Sequence, residues 1–126
     1  MLQAGELQGR CILIVEDEWL LADAISDAVE RAGGTLLGPA GSVKEALSIL
    51  VEAERLPDAA SLNIRVLDGE SYPVADELAR LGVPFVFASA NGSSSLPARF
   101  ARRPMIAKPF PGYRIAQALA ALLSSG

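Results

Sequence analysis

Residues 11–34 read CILIVEDEWLLADAISDAVERAGG. The five apolar residues 11–15 run without polar alternation, as a strand buried on both faces of a parallel sheet does. Three acids, Glu16, Asp17 and Glu18, follow at once. Beyond them Leu20, Leu21, Ala24, Ile25, Ala28 and Val29 share one side of a helix, and Asp23, Asp27 and Glu30 are left for solvent. The spacing predicts a helix over 19–31, stopped by Gly33-Gly34. A buried strand, a polar turn and an amphipathic helix make up half of a βαβ unit.

The same unit recurs along the chain. Residues 35–38 read as a second short strand with Pro39 at its end. Ser42-Val43-Lys44-Glu45 has capping-box spacing and opens a helix with Val43, Ala46, Leu47, Leu50 and Val51 inward. A third strand over 59–62 ends at Asn63. Residues 64–73 then form a connection with a turn at Asp68-Gly69. Val74, Ala75, Leu78, Ala79 and Leu81 mark a third helix, and 84–88, PFVFA, a fourth strand. The NGSSS at 91–95 carries little helix propensity, so the fourth helix is expected to be short or irregular. Residues 105–107 form a fifth strand. Pro111 stands in a first helical turn, and Ile115, Ala118, Leu119, Leu122 and Leu123 line the last helix.

Five strand–helix units predict an α/β doubly wound parallel sheet, (βα)5. Function in such sheets gathers beyond the carboxyl ends of the strands. The residues there are Glu16, Asp17 and Glu18 after the first strand, Asn63 after the third, Ser89 after the fourth, and Lys108-Pro109 after the fifth. Neighbouring carboxylates attract a hard cation, and a lysine with a hydroxyl can hold phosphoryl oxygens.

Composition narrows the chemistry. Eleven basic and fifteen acidic residues give a net charge of −4, which disfavours a nucleic-acid surface. The basic cluster Arg99, Arg102 and Arg103, with Lys108 beyond it, reads as a solvated rim. The chain has no histidine, which excludes His-based triads and phosphotransfer from its own histidine, and its lone Cys11 reads as a buried structural thiol. No apolar run approaches the ~20 residues of a membrane span. Residues 1–9 read as an N-terminal extension without signal-peptide features, so a cytoplasmic location is expected.

Taken together, ILIVEDE at 12–18, PDAASLN at 57–63, VFASA at 86–90 and KPF at 108–110 resemble the receiver domain of bacterial two-component response regulators, the CheY-like superfamily. The resemblance runs from Arg10 to Leu123 and sets the receiver domain at 10–124. YPVADELARLGVPFVFASANG at 72–92 further resembles a stand-alone subgroup with an FATGY-type sequence, which serves general stress or light-linked signalling in alphaproteobacteria. It implies a flavodoxin-like fold with strand order 2-1-3-4-5. It also implies that Glu16 and Asp17 are the acidic metal-binding pair, with the backbone carbonyl of Arg65 as a further ligand. Asn63 matches the aspartate that receives phosphate, Ser89 the switch hydroxyl, Lys108 the lysine that pairs with phosphoaspartate, and Met105 the position often held by a rotating aromatic.

The departures shape the functional expectation. An amide at 63 is a poor nucleophile, and Ala90-Asn91 replaces the subgroup's glycine-tyrosine pair. The resemblance then implies an atypical, non-enzymatic receiver in phosphorelay signalling. It would lack an output domain and act by contact with a sensor histidine kinase or another signalling protein, with homodimerisation open and no nucleic acid or membrane as partner. No cofactor is required, and Mg²⁺ is expected to bind weakly or not at all. Lys108 is expected to lean toward Asp17 or to hydrogen-bond the Asn63 amide oxygen. Two alternatives stay open: an ordinary receiver whose aspartate was replaced by Asn63, and a small flavodoxin-like enzyme or nucleotide-binding protein, against which the glycine-free EDEWLLAD at 16–23 speaks.

Overall fold

The structure is a computed structural model describing residues 5–90 and 96–124. Its elements run β1 (Cys11–Val15), α1 (Trp19–Arg31), β2 (Thr35–Ala40), α2 (Val43–Glu52), β3 (Ala59–Asn63), β4 (Arg65–Val66), β5 (Gly69–Glu70), α3 (Tyr72–Arg80), β6 (Phe85–Ser89), β7 (Met105–Ala107) and α4 (Gly112–Ser124). Five strands form one parallel sheet in the order β2-β1-β3-β6-β7, which is 2-1-3-4-5 when only these five are counted. The doubly wound fold expected from the sequence is therefore present.

The alternation of side chains along each strand builds two cores. Leu13, Val15, Leu62, Phe85 and Phe87 face α2 and α3, where Leu50, Val74 and Leu78 meet them. Ile12, Ile14, Val86 and Ala88 face α1 and α4, against Ile25, Val29, Ile115 and Leu119. Burying each such side chain is worth about 1.5–3 kcal/mol, which is why the continuous apolar runs settle in the middle of the sheet. Leu7, from the segment before β1, is also fully buried in the second core, and its N–H donates to Ala32 O at 2.8 Å. Gly112 lets α4 close on α1, because a Cβ there would stand 2.4 Å from Ala24 O. Cys11 is buried, as expected.

Several local readings change. Pro39 does not end the second strand. It sits within β2, where the register with β1 shifts between Leu13/Leu37 and Val15/Ala40. Proline is tolerated at such an irregularity on an edge strand. Gly38 enables the kink with φ +87°, where a Cβ would lie 2.8 Å from Ile14 O. The connection after β3 is not featureless, since β4 and β5 pair as a small antiparallel hairpin around Leu67-Asp68. Pro111 immediately precedes α4 rather than standing inside it, and its carbonyl accepts from Arg114 N at 3.0 Å. Leu20, Ala24, Val51 and Ala79, read as inward positions, are exposed, because the helices cover the sheet with a narrower stripe than their apolar positions span.

The capping box at α2 forms. Ser42 Oγ accepts from Glu45 N at 3.0 Å, and Glu45 Oε1 accepts from Gly41 N at 2.9 Å. Between β6 and β7 the described residues hold only a three-residue 3-10 turn, Ala98–Phe100, in keeping with a short fourth helix. The expectation for 91–95 lies outside the described residues. Phe100 anchors this turn, with its ring 5.5 Å from Phe87, 6.1 Å from Phe85 and 5.7 Å from Tyr72. The basic cluster is more than a solvated rim. Arg99 forms a two-pronged pair with Asp76 (2.8 and 3.0 Å), and the Arg103 guanidinium lies 4.3 Å from the centre of the Phe85 ring.

Candidate functional site

The chain leaves β1 for β2 on one side and then crosses to β3 on the other, so the winding reverses at β1. The crevice at such a reversal is where doubly wound sheets place their chemistry. Glu16 and Asp17 follow β1 there, and Asn63 is the last residue of β3, in register with Ala88 of β6. Glu16 and Asn63 are buried, at 3% and 6% exposure, and Asp17 is half-buried.

The Asn63 side chain is the hub. Its Nδ2 donates to Glu16 Oε2 at 3.1 Å, to Asp17 Oδ1 at 3.0 Å and to the Arg65 carbonyl at 2.6 Å. All three partners are acceptors, so only the NH₂ end of the amide can face them. These oxygens belong to the three groups that the receiver resemblance implies as metal ligands. Mg²⁺ needs oxygens at about 2.0–2.1 Å around a cation. Here a hydrogen-bond donor stands where the oxygens converge, so the residues as arranged do not fit that ion. Among the described residues no three carboxylate, thiol or imidazole groups form a metal-binding cluster.

Lys108, brought to the rim by β7, does not take either expected partner. Its Nζ lies 3.4 Å from Glu16 Oε1 and donates to Glu18 Oε2, rather than meeting Asp17 or the Asn63 amide oxygen. The reason is a matter of competition. Asn63 Nδ2 already serves Asp17, while Glu16 turns its second oxygen toward Lys108. Burial pushes the Glu16 carboxyl above the ordinary glutamate range, opposed by the Glu18 N–H at 3.1 Å and by Lys108. The pocket therefore pairs its buried carboxylate with its own lysine.

Ser89 is buried at the end of β6 in register with Ala107, and its carbonyl accepts from Lys108 N at 2.9 Å. Met105 is half-buried against the α2/α3 core and pairs with Phe87. Arg65 contributes its carbonyl from the first residue of the β4–β5 hairpin. That hairpin is fastened elsewhere. Asp68 accepts from Val43 N at 2.7 Å and Lys44 N at 3.1 Å, and Leu67 N donates to Gly41 O at 3.0 Å. Two contributors escaped the sequence reading: Glu18 as a lysine partner, and Asp68 as the clasp that holds the Arg65 carbonyl in place. Glu18 could have been found from its place in the acidic run. Nothing local marks Asp68 as more than a turn residue.

No protein-family model matches the chain. It is 41% identical to SdrG from Sphingomonas melonis Fr1, whose solution structure superposes with a TM-score of 0.75, covering 90% of this chain and 96% of that one. It is 37% identical over 107 residues to the phyllosphere-induced regulator PhyR of Methylorubrum extorquens, a match that takes in 79% of this chain and 38% of PhyR. The crystal structure of the anti-anti-sigma factor PhyR from Bartonella quintana is 27% identical with a TM-score of 0.68, covering 92% of this chain and 48% of that protein. The chain thus spans well under two thirds of the PhyR proteins and nearly the whole of SdrG.

Proposed function

Since the chain belongs to the receiver domains of response regulators, we propose that it is an atypical receiver that does not accept phosphate at residue 63 and signals by contact with other proteins. The observation that carries this reading is the state of the Asn63 amide, whose nitrogen is committed to Glu16, Asp17 and the Arg65 carbonyl. Accepting a phosphoryl group takes an ionised oxygen nucleophile. An amide is neutral, and its nitrogen lone pair is delocalised into the carbonyl. Lys108, which would meet a phosphorylated side chain, is held by Glu16 and Glu18.

The chain is then a binding module and not an enzyme. Its partner is a sensor histidine kinase or another protein of the same relay. The anti-anti-sigma relative directs attention to regulators of sigma-factor availability, reached by protein contact. The net charge of −4 supports a partner that is not nucleic acid. Among the described residues no helix is long and apolar enough to cross a membrane. Radiolabelled phosphotransfer from a cognate histidine kinase tests the reading. The native chain is expected to stay unlabelled while Asn63→Asp takes up label. Label on the native chain that survives Asn63→Ala would place the acceptor elsewhere, and label lost with Asn63→Ala would sink the reading outright.

A further inference from the structure

We infer that the Asn63 amide takes the place of the divalent cation and leaves the pocket blind to Mg²⁺. Three acceptors converge on one nitrogen at 2.6–3.1 Å: a buried carboxylate, a half-buried carboxylate and a backbone carbonyl. They come from separate places in the chain. Glu16 and Asp17 follow β1, and Arg65 opens a hairpin that Asp68 and Leu67 fasten to the start of α2. The Arg65 carbonyl is therefore held independently of the amide, and Glu16 is also held by Lys108 and by Glu18 N. Oxygens that converge on one point, two of the three fixed from elsewhere, call for a positive group at that point. The NH₂ carries the partial positive charge there and Lys108 neutralises Glu16 from the far side.

The consequence goes beyond the loss of a phosphate acceptor. A cation could enter only if the amide turned over. That would give up all three donated bonds and offer a neutral oxygen where an aspartate would offer a charge. Removing the amide, rather than restoring an acid, should therefore be enough to open the site. This holds whether or not phosphate is accepted anywhere in the chain.

The single tryptophan gives a direct reporter, since Trp19 stands two residues beyond Asp17 and is 75% exposed. Its indole N–H signal would be followed by NMR while Mn²⁺ is added to the native chain, Asn63→Ala and Asn63→Asp. The native signal should persist. Both variants should show paramagnetic broadening that excess Mg²⁺ reverses, with Asn63→Asp at least about tenfold tighter than Asn63→Ala, the ratio expected for one added charged ligand. Thermal melts with and without Mg²⁺ provide the second measurement: the native midpoint should not move and the variant midpoints should rise. Reversible broadening in the native chain would overturn the inference. So would an absence of binding in Asn63→Ala, because the amide would then not be what excludes the cation. Neither result depends on phosphotransfer, so this idea and the proposed function can fail separately.

Discussion

Replacing Lys108 with methionine removes the ammonium and keeps most of the aliphatic stem. In the native chain Nζ lies 3.4 Å from Glu16 Oε1, and the two side chains are 15% and 2% exposed. At an effective dielectric of about 20, a charge pair at that distance attracts by about 5 kcal/mol. Much of this is offset, because methionine has no charge to desolvate and Glu16 keeps bonds from Asn63 Nδ2 and Glu18 N. A net loss of about 2–3 kcal/mol at neutral pH is expected, below the range for a pair buried on both sides. The loss should depend on pH. Burial is the largest influence on Glu16 and raises its pKa from the ordinary 4.5. A carboxyl with a raised folded-state pKa favours the fold when protonated. That contribution is complete below the unfolded value and disappears as pH rises through the folded one. Lys108→Met removes two of the influences that lower the pKa, so Glu16 should rise further and take up a proton sooner. The penalty should then be small in acid near the ordinary 4.5 and larger at neutral pH, where Glu16 is more fully ionised. Urea unfolding followed by far-UV circular dichroism at both ends of that window reads it, with an unchanged slope in denaturant. Glu16→Gln in the same background should recover most of the loss. A penalty that is equal at both pH values, or below about 0.5 kcal/mol at the upper one, would refute the idea that this pair balances the pocket.

Two further outcomes follow from the same contacts. Phe100→Ala should cost about 3–5 kcal/mol, because Phe100 is 2% exposed and its ring meets Tyr72, Phe85 and Phe87; a loss under about 1 kcal/mol in urea unfolding would mean that the 3-10 turn is not anchored there. Asp68→Ala should speed hydrogen exchange at the Val43 and Lys44 amides, whose bonds to Asp68 hold its carboxyl below the ordinary 3.8. A depressed folded-state pKa means that this support is present above the unfolded value and is lost as pH falls through the folded one, so native and variant should exchange alike in acid and diverge near neutrality.

The residues of the site were legible one by one. Glu16, Asp17, Asn63, Ser89 and Lys108 all stand at strand ends because each follows an apolar run that must be buried, and burial of the run fixes where it stops. Their partners were not legible in the same way. Lys108 was expected at Asp17 or at the Asn63 oxygen, yet it meets Glu16 and Glu18. That choice turns on which of several acids, ninety residues away in the chain, has already been served by another donor. Val51 shows the same limit in the fold, since its helical position is apolar and the structure leaves it 84% exposed.

Local pattern by itself determined the alternation of buried runs and amphipathic helices, the two-sided burial of the sheet and the capping box at Ser42–Glu45, because each depends on residues a few positions apart. Strand order came from the likeness of the whole motif set to receivers, and the pairing of the strands bears it out. Only the tertiary structure decided that the Asn63 NH₂ would face Glu16, Asp17 and the Arg65 carbonyl together. An amide offers a donor and an acceptor end of nearly equal shape. Which end points inward is set by the charges around it, and those come together only when β1 and β3 lie side by side.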